Sequence, residues 1–207
     1  METNKLYSKA LLIAQFVVIY NIIEGIISMF LGYENESLTL FGFGVDSFIE
    51  VASNLGVFFM IKRIQKNPNS DKSTFEVKAL KITGWGFYLL SVSLLIGIII
   101  NIYKKHLPEN TIFGVIISII SIIVMAYVSY NQLTIGKKLN SEPIIADAKC
   151  TIICIYMSIV LLLSSAVYYY TGFAYTDSLG ALCLIYFSFQ EGKECFEKAK
   201  GKSTCKC

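Results

Sequence analysis

With 207 residues, 55% of them hydrophobic and only 16% charged, the chain departs from a soluble domain, where roughly a quarter of residues are charged. That balance and a mean hydropathy of +0.59 exclude a soluble enzyme, a nucleic-acid binder and a disordered chain. At roughly 20 residues per membrane helix, the length allows at most about eight spans and leaves no room for a large soluble domain beside them.

Six apolar stretches follow in chain order, predicted as transmembrane helices over residues 10–31, 37–61, 82–103, 111–133, 144–170 and 174–190. At 1.5 Å per residue each crosses about 30 Å of hydrocarbon, the last only marginally. The first is too long for a signal peptide, carries Glu24 and has no small-residue cleavage pattern after it, so it reads as a retained helix. Of the 18 Lys and Arg, all but Lys104, Lys105 and Lys149 fall on the side that holds both termini and the 62–81 and 137–138 loops. The positive-inside rule therefore places both termini in the cytoplasm. The expected fold is an all-α, six-helix membrane bundle, with one transmembrane domain over residues 1–190 and a short Cys-containing cytoplasmic tail over 191–207. It reads as a multi-pass protein of the plasma membrane with the lipid bilayer as partner. The net charge of +3 is this loop asymmetry. Neither a nucleic-acid partner nor an organic cofactor is expected.

An ionisable group in hydrocarbon is costly, so each one calls for a reason. In the first span, Asn21 and Glu24 either line a shared cavity or bond across helices. In the second, the run Gly42–Glu50 (G-F-G-V-D-S-F-I-E) sets Asp46 and Glu50 four apart, on one helical face, and Asn54 continues the stripe. Two ionised carboxylates this close repel. A proton or a cation between them removes the conflict, and a pair satisfied by neighbouring helices is the alternative. Gly42, Gly44 and Gly56 read as close helix contacts.

The fifth span begins I-I-A-D-A-K-C-T-I-I-C, with Cys150 and Cys154 four apart and Asp147 near the same stripe. Thiolates suit soft metals, although cysteine also packs well as a small apolar residue. If the second and fifth spans pack antiparallel at matched depth, Asp46 faces Cys154 and Glu50 faces Cys150. That would be a four-ligand S₂O₂ cage. Lys149 reads either as a snorkelling lysine or as a cation that offsets site charge. Asp177 reads as an N-cap of the sixth helix, and Cys183 as packing. His106 is the only histidine and falls in an outer loop, so the intramembrane site is not a histidine site. The tail ends in a C-x-C, Cys205 and Cys207, either an ordinary terminus or a soft-metal capture pair.

These residues resemble the membrane domain of the cation diffusion facilitator family. G-V-D-S-F-I-E is similar to its second-helix motif, with Asp46 and Glu50 at the two ligand positions. A-D-A-K-C-T-I-I-C is similar to the fifth-helix motif, with Cys150 and Cys154 where the family usually has His or Asp and then Asp. Y-T-D-S-L-G-A-L (175–182) and Y-N-I-I-E-G (20–25) are similar to the openings of the family's sixth helix and to its first helix. The resemblance covers about residues 8–200. It implies six helices, cytoplasmic termini, a homodimer, and a metal/proton antiporter that moves metal out of the cytoplasm as protons enter. Sulfur at the fifth-helix positions departs from the family and points to zinc, cadmium or another thiophilic metal. The family's soluble cytoplasmic domain is also not seen, since 17 residues follow Gln190.

The expected function is thus efflux of a divalent or soft heavy-metal cation, with Asp46, Glu50, Cys150 and Cys154 as ligands. Asp147, Asn54 and Glu24 are secondary candidates, and Cys205 and Cys207 in the tail are a further pair. Protons are the expected counter-ion. The alternative is a membrane thiol-disulfide oxidoreductase using the fifth-span cysteines, which would leave Asp46 and Glu50 without a role.

Overall fold

The computed structural model describes residues 2–67, 74–104, 111–173 and 175–201. Six helices occupy them: α1 (Glu2–Glu34), α2 (Leu38–Lys66), α3 (Thr74–Lys104), α4 (Ile112–Lys138), α5 (Glu142–Thr171) and α6 (Thr176–Ala199). The chain is an all-α integral membrane protein that passes the bilayer repeatedly. Helices α1 to α5 are each long and apolar enough to cross a membrane. Helix α6 is more polar, but its 24 residues reach about 36 Å at 1.5 Å per residue, enough to cross. The exposed surface is apolar, as lipid contact requires, with Leu12, Ile19, Ile26 and Phe30 of α1 turned outward.

Helix ends follow local chemistry. Ser37 caps α2, its Oγ accepting from the Leu40 N–H at 3.2 Å. Pro143 sits in the first turn of α5, where its missing N–H has no partner to lose. That helix closes on Gly172, whose left-handed φ of 63° lets its N–H reach the Tyr168 carbonyl. Basic residues fill the last turns of α2 (Arg63, Lys66) and α4 (Lys137, Lys138). At that basic end, Arg63 makes a two-pronged ion pair with Glu76 of α3, at 2.7 and 3.1 Å.

The helices pack chiefly as α1 on α2, α4 on α5 and α3 on α6, and α2 also touches α3, α5 and α6. Two of these contacts depend on glycine. A Cβ on Gly44 would meet the Met29 backbone N at 2.6 Å, and one on Gly25 would lie 3.1 Å from the Gly44 carbonyl, so α1 and α2 meet backbone to backbone. Gly84 and Gly192 do the same for α3 and α6, each projected Cβ lying 3.2 Å from the other's carbonyl. Gly42 and Gly56 make looser accommodations, to Leu94 and Ala79 side chains.

Two apolar clusters divide the interior. One gathers Leu40, Phe43, Leu94, Met157, Leu161 and Leu184 toward the outer end. The other gathers Tyr7, Ala10, Ala14, Ile61, Ile135 and Ile144 toward the basic end. Asn21 and Glu24 of α1 and Asp46 and Glu50 of α2 lie between them along their helices.

Two expectations on boundaries change. The sixth span runs on to Ala199 without a break at residue 190. Falling hydropathy ends an apolar window but not a helix, because residues beyond it are themselves buried, the acids Glu191 and Glu194 together with Gly192 and Cys195. Residues 202–207, with Cys205 and Cys207, lie outside the described residues, as does His106.

Candidate metal centre

The i, i+4 spacing on α2 places Asp46 and Glu50 one turn apart on the face that looks into the bundle. Asp46 is 2% exposed, and its Oδ1 has no hydrogen-bond partner. Glu50 is held from two sides. Its Oε2 accepts from Asn21 Nδ2 of α1 at 2.9 Å, and its Oε1 accepts from the Cys154 thiol of α5 at 2.6 Å. Glu24 lies beside them on α1 and accepts from Tyr20 Oη at 2.7 Å and from Ser47 Oγ of α2 at 3.0 Å. Of the two readings the sequence left open, Asn21 and Glu24 show the second: Asn21 bonds Glu50 and Glu24 bonds Ser47, both across to α2. Asn54 lies one turn further along α2, its Nδ2 donating to the Glu50 backbone carbonyl at 2.9 Å.

On α5, Cys154 meets Glu50 but Cys150 does not. The Cys150 sulfur instead accepts from Lys198 Nζ of α6 at 2.7 Å, and it is disulfide-bonded, so the expectation of a free Cys150 thiolate ligand is not met in this structure. The expected facing pairs, Asp46 with Cys154 and Glu50 with Cys150, are thus displaced by one helical turn, about 5.4 Å. Pairing by residue number assumes helices at matched depth. Here the glycine contact of α2 with α1, and the apolar cluster that Leu40 and Phe43 of α2 make with Met157 and Leu161 of α5, set the depth instead. Among the described residues, no three Cys, Asp, Glu or His side chains are drawn together tightly enough to enclose an ion as they stand. The arrangement is a contact pair, Glu50 and Cys154, with Asp46 one turn outward and Cys150 one turn toward the basic end.

The other candidates separate. Asp147 accepts from Gln132 Nε2 of α4 at 2.9 Å, and Thr151 Oγ1 in turn donates to Gln132 Oε1 at 3.1 Å. Lys149 is exposed, in keeping with a snorkelling lysine. Cys183 is exposed on α6 and is not interior packing. Asp177 does not cap its own helix. It lies in the first turn of α6 and caps α2, accepting from Ser37 Oγ at 2.7 Å and the Leu38 N–H at 2.8 Å. A carboxylate in the first turn of one helix can serve the N-terminus of another when the two N-termini lie together, a tertiary fact that sequence does not carry.

Sequence reasoning also missed a polar face on α6. Glu191, Glu194, Cys195 and Lys198 recur at i, i+3, i+4 and i+7, the signature of one helical face, and the first three are buried. Ending the span at residue 190 hid that signal by assigning these residues to a tail.

Comparison with known proteins agrees with this architecture. A family model described as the cation efflux transmembrane domain matches residues 14–199. The chain is also 27% identical over 135 residues to a protein of Methanocaldococcus jannaschii described as an uncharacterized transporter, an alignment covering 63% of this chain and 48% of that one. The chain therefore aligns with about half the length of that curated relative.

Proposed function

The chain belongs to the cation efflux family and is a membrane cation transporter, and from this premise we propose that it exports a thiophilic divalent metal, such as zinc or cadmium, in exchange for protons. The observation that carries the proposal is the 2.6 Å contact between the Cys154 thiol and Glu50, with the unpartnered Asp46 carboxyl oxygen one turn away on the same face. Sulfur beside carboxylate is a donor set for zinc or softer d¹⁰ ions and a poor one for magnesium or manganese.

The same contact supplies the reason for exchange. In this structure the Cys154 thiol is one of the two donors that hold Glu50, with Asn21 the other. A metal can bind sulfur only as the thiol proton leaves, so metal and proton compete for one place. Fully ionised, Asp46, Glu50 and Cys154 would carry three negative charges against a metal's two, and an uncompensated charge buried in hydrocarbon is costly. Asn21 orients Glu50, and Ser47 links α2 to Glu24 of α1, so the ligands are steered by neighbouring helices. Access would alternate as helix groups rock around the level between the two apolar clusters. Cys205 and Cys207 add a soft pair that would capture metal on the cytoplasmic side. Deleting the last three residues should raise the metal concentration for half-maximal transport, and an unchanged value removes that role.

The test of the main proposal is proton flux driven by a zinc or cadmium gradient across liposomes containing the purified protein. Wild type should show it and Asp46→Ala should not. Equal flux from both would overturn the assignment.

A further inference from the structure

With Cys150 in a disulfide, α2 and α5 offer a cation three ligands, Asp46, Glu50 and Cys154, one short of the closed four-ligand shell that zinc favours. The buried face of α6 has no part in the reading above, and it carries a candidate for the fourth. Glu191 is 8% exposed, and its Oε1 has no hydrogen-bond partner. Ser188, one turn earlier on the same face, is fully buried, and its Oγ has no partner either. Interior polar groups nearly always find partners, so two orphaned oxygens on one helical stripe call for a ligand.

The helix packing brings Glu191 to the depth of the other ligands. Phe43 of α2, Leu161 of α5 and Leu184 of α6 meet in the outer apolar cluster. Helices α2 and α6 run from that cluster toward the basic end, while α5 runs outward to it. From Phe43 to Glu50, from Leu161 to Cys154 and from Leu184 to Glu191 is in each case a step of seven residues, about 10.5 Å and close to two full turns. Such a step keeps each residue on the side of its helix that faces the cluster, so the three side chains leave their helices at one level and on converging faces. Glu50 and Cys154 do meet, at 2.6 Å, as this register requires. Glu191 is the third member of the level. After Glu50 it is the acid that acts most strongly on Asp46, and its charge also reaches Glu50 and Cys154. Glu194 and Lys198 act on it from the basic side, where Lys198 Nζ lies 3.9 Å from Glu194 Oε2.

We propose that Glu191 of α6 is the fourth ligand of the cation site, closing on a metal held by Asp46, Glu50 and Cys154. The proposal rests on the export reading in taking the cargo to be a thiophilic divalent metal. A carboxylate from α6 adds an oxygen donor to the sulfur and oxygen already at this level, and its flexible side chain can turn onto the ion without displacing its helix. Ligation removes the cost of the oxygen that is otherwise buried without a partner. It also joins a third helix to the centre. Helix α6 is fastened to α3 at the contact of Gly192 with Gly84, one residue from Glu191. An ion gripped by Glu191 therefore couples the α3–α6 pair to α2 and α5. Metal occupancy then bears directly on how the helix groups stand to one another, because the ion is held fully only where all three helices reach it.

The experiment is equilibrium binding of cadmium to the full-length protein in detergent, read by thiolate-to-cadmium absorption, with the part of the signal that Cys154→Ser removes taken as the site. Glu191→Gln should weaken this binding more than roughly 100-fold, beyond the cost of losing a residue that only orients a ligand. Glu194→Gln removes a charge of the same sign one turn away and should leave the affinity near that of wild type. Wild-type affinity in Glu191→Gln would overturn the assignment. An equal loss in Glu194→Gln would overturn it too, since charge and not ligation would then be at work. Glu191→Cys puts a second sulfur at the position, so absorption per bound ion should rise about twofold as one thiolate ligand becomes two. Unchanged absorption per ion in that variant would overturn the ligand role even if the glutamine variant fails to fold. Metal-driven proton flux is measured separately in liposomes. Its absence in wild type, with cadmium still bound through Glu191, would end the export reading alone. Normal wild-type flux with undiminished cadmium binding in Glu191→Gln would end the fourth ligand alone.

Discussion

Asp177 and Asp46 are both buried aspartates in one membrane bundle, at 4% and 2% exposure, and their surroundings differ sharply. Asp177 takes the Ser37 hydroxyl at 2.7 Å and the Leu38 N–H at 2.8 Å, and its own backbone carbonyl accepts from Thr39 Oγ1 at 2.6 Å. It ties the start of α6 to the start of α2 and satisfies backbone donors that a helix N-terminus leaves over. Asp46 has a carboxyl oxygen with no partner, in a region where neighbouring acids repel it. Burial alone does not separate a structural acid from a working one. The hydrogen-bond inventory does, because a satisfied carboxylate has little to gain from a ligand and an orphaned one has much.

The comparison breaks most visibly at Asp46. Replacing Asp46 with Asn should abolish metal-driven flux in liposomes while leaving thermal stability in detergent equal to wild type or above it, since an unsatisfied buried acid is removed. A large drop in the melting temperature of Asp46→Asn would place it with Asp177. Asp177→Ala should do the reverse, lowering unfolding stability by about 2 kcal/mol through the lost cap and orphaned α2 amides. Flux per folded molecule should persist. If that flux falls with stability intact, Asp177 belongs to the transport machinery and the contrast fails. The smallest effect is expected at Asn21, which sits between the two types by bonding Glu50 without binding cargo. Asn21→Ala should weaken cadmium binding roughly tenfold, as loss of an orienting partner does, with little change in stability. Binding as tight as wild type would show that Glu50 is held well enough by Cys154 and its own helix.

Much of this architecture was legible in the sequence. Hydropathy blocks mark five helices within a few residues at their apolar cores, because hydrocarbon tolerates only long, internally bonded helices. The i, i+4 spacings of Asp46 with Glu50 and of Cys150 with Cys154 already assign each pair to one helical face. The helix that hydropathy served worst is α6, whose buried Glu191 and Glu194 lower its average and mimic a polar tail. Periodicity would have found that face where average hydropathy does not, since helical spacing survives when polarity rises.

The sequence by itself determined which residues share a helix face, how many helices the chain makes, and which end is basic, because those are properties of local periodicity and composition. Which faces meet, and at what depth, only the tertiary structure decided. Cys154 meets Glu50 rather than Asp46, Asp177 caps a helix 138 residues away in sequence from its partner Thr39, and Lys198 rather than Lys149 reaches Cys150. Depth between two helices is set by every contact along them at once, here the Gly25 and Gly44 approach and the apolar clusters on either side of the acids. No short stretch of sequence contains that sum.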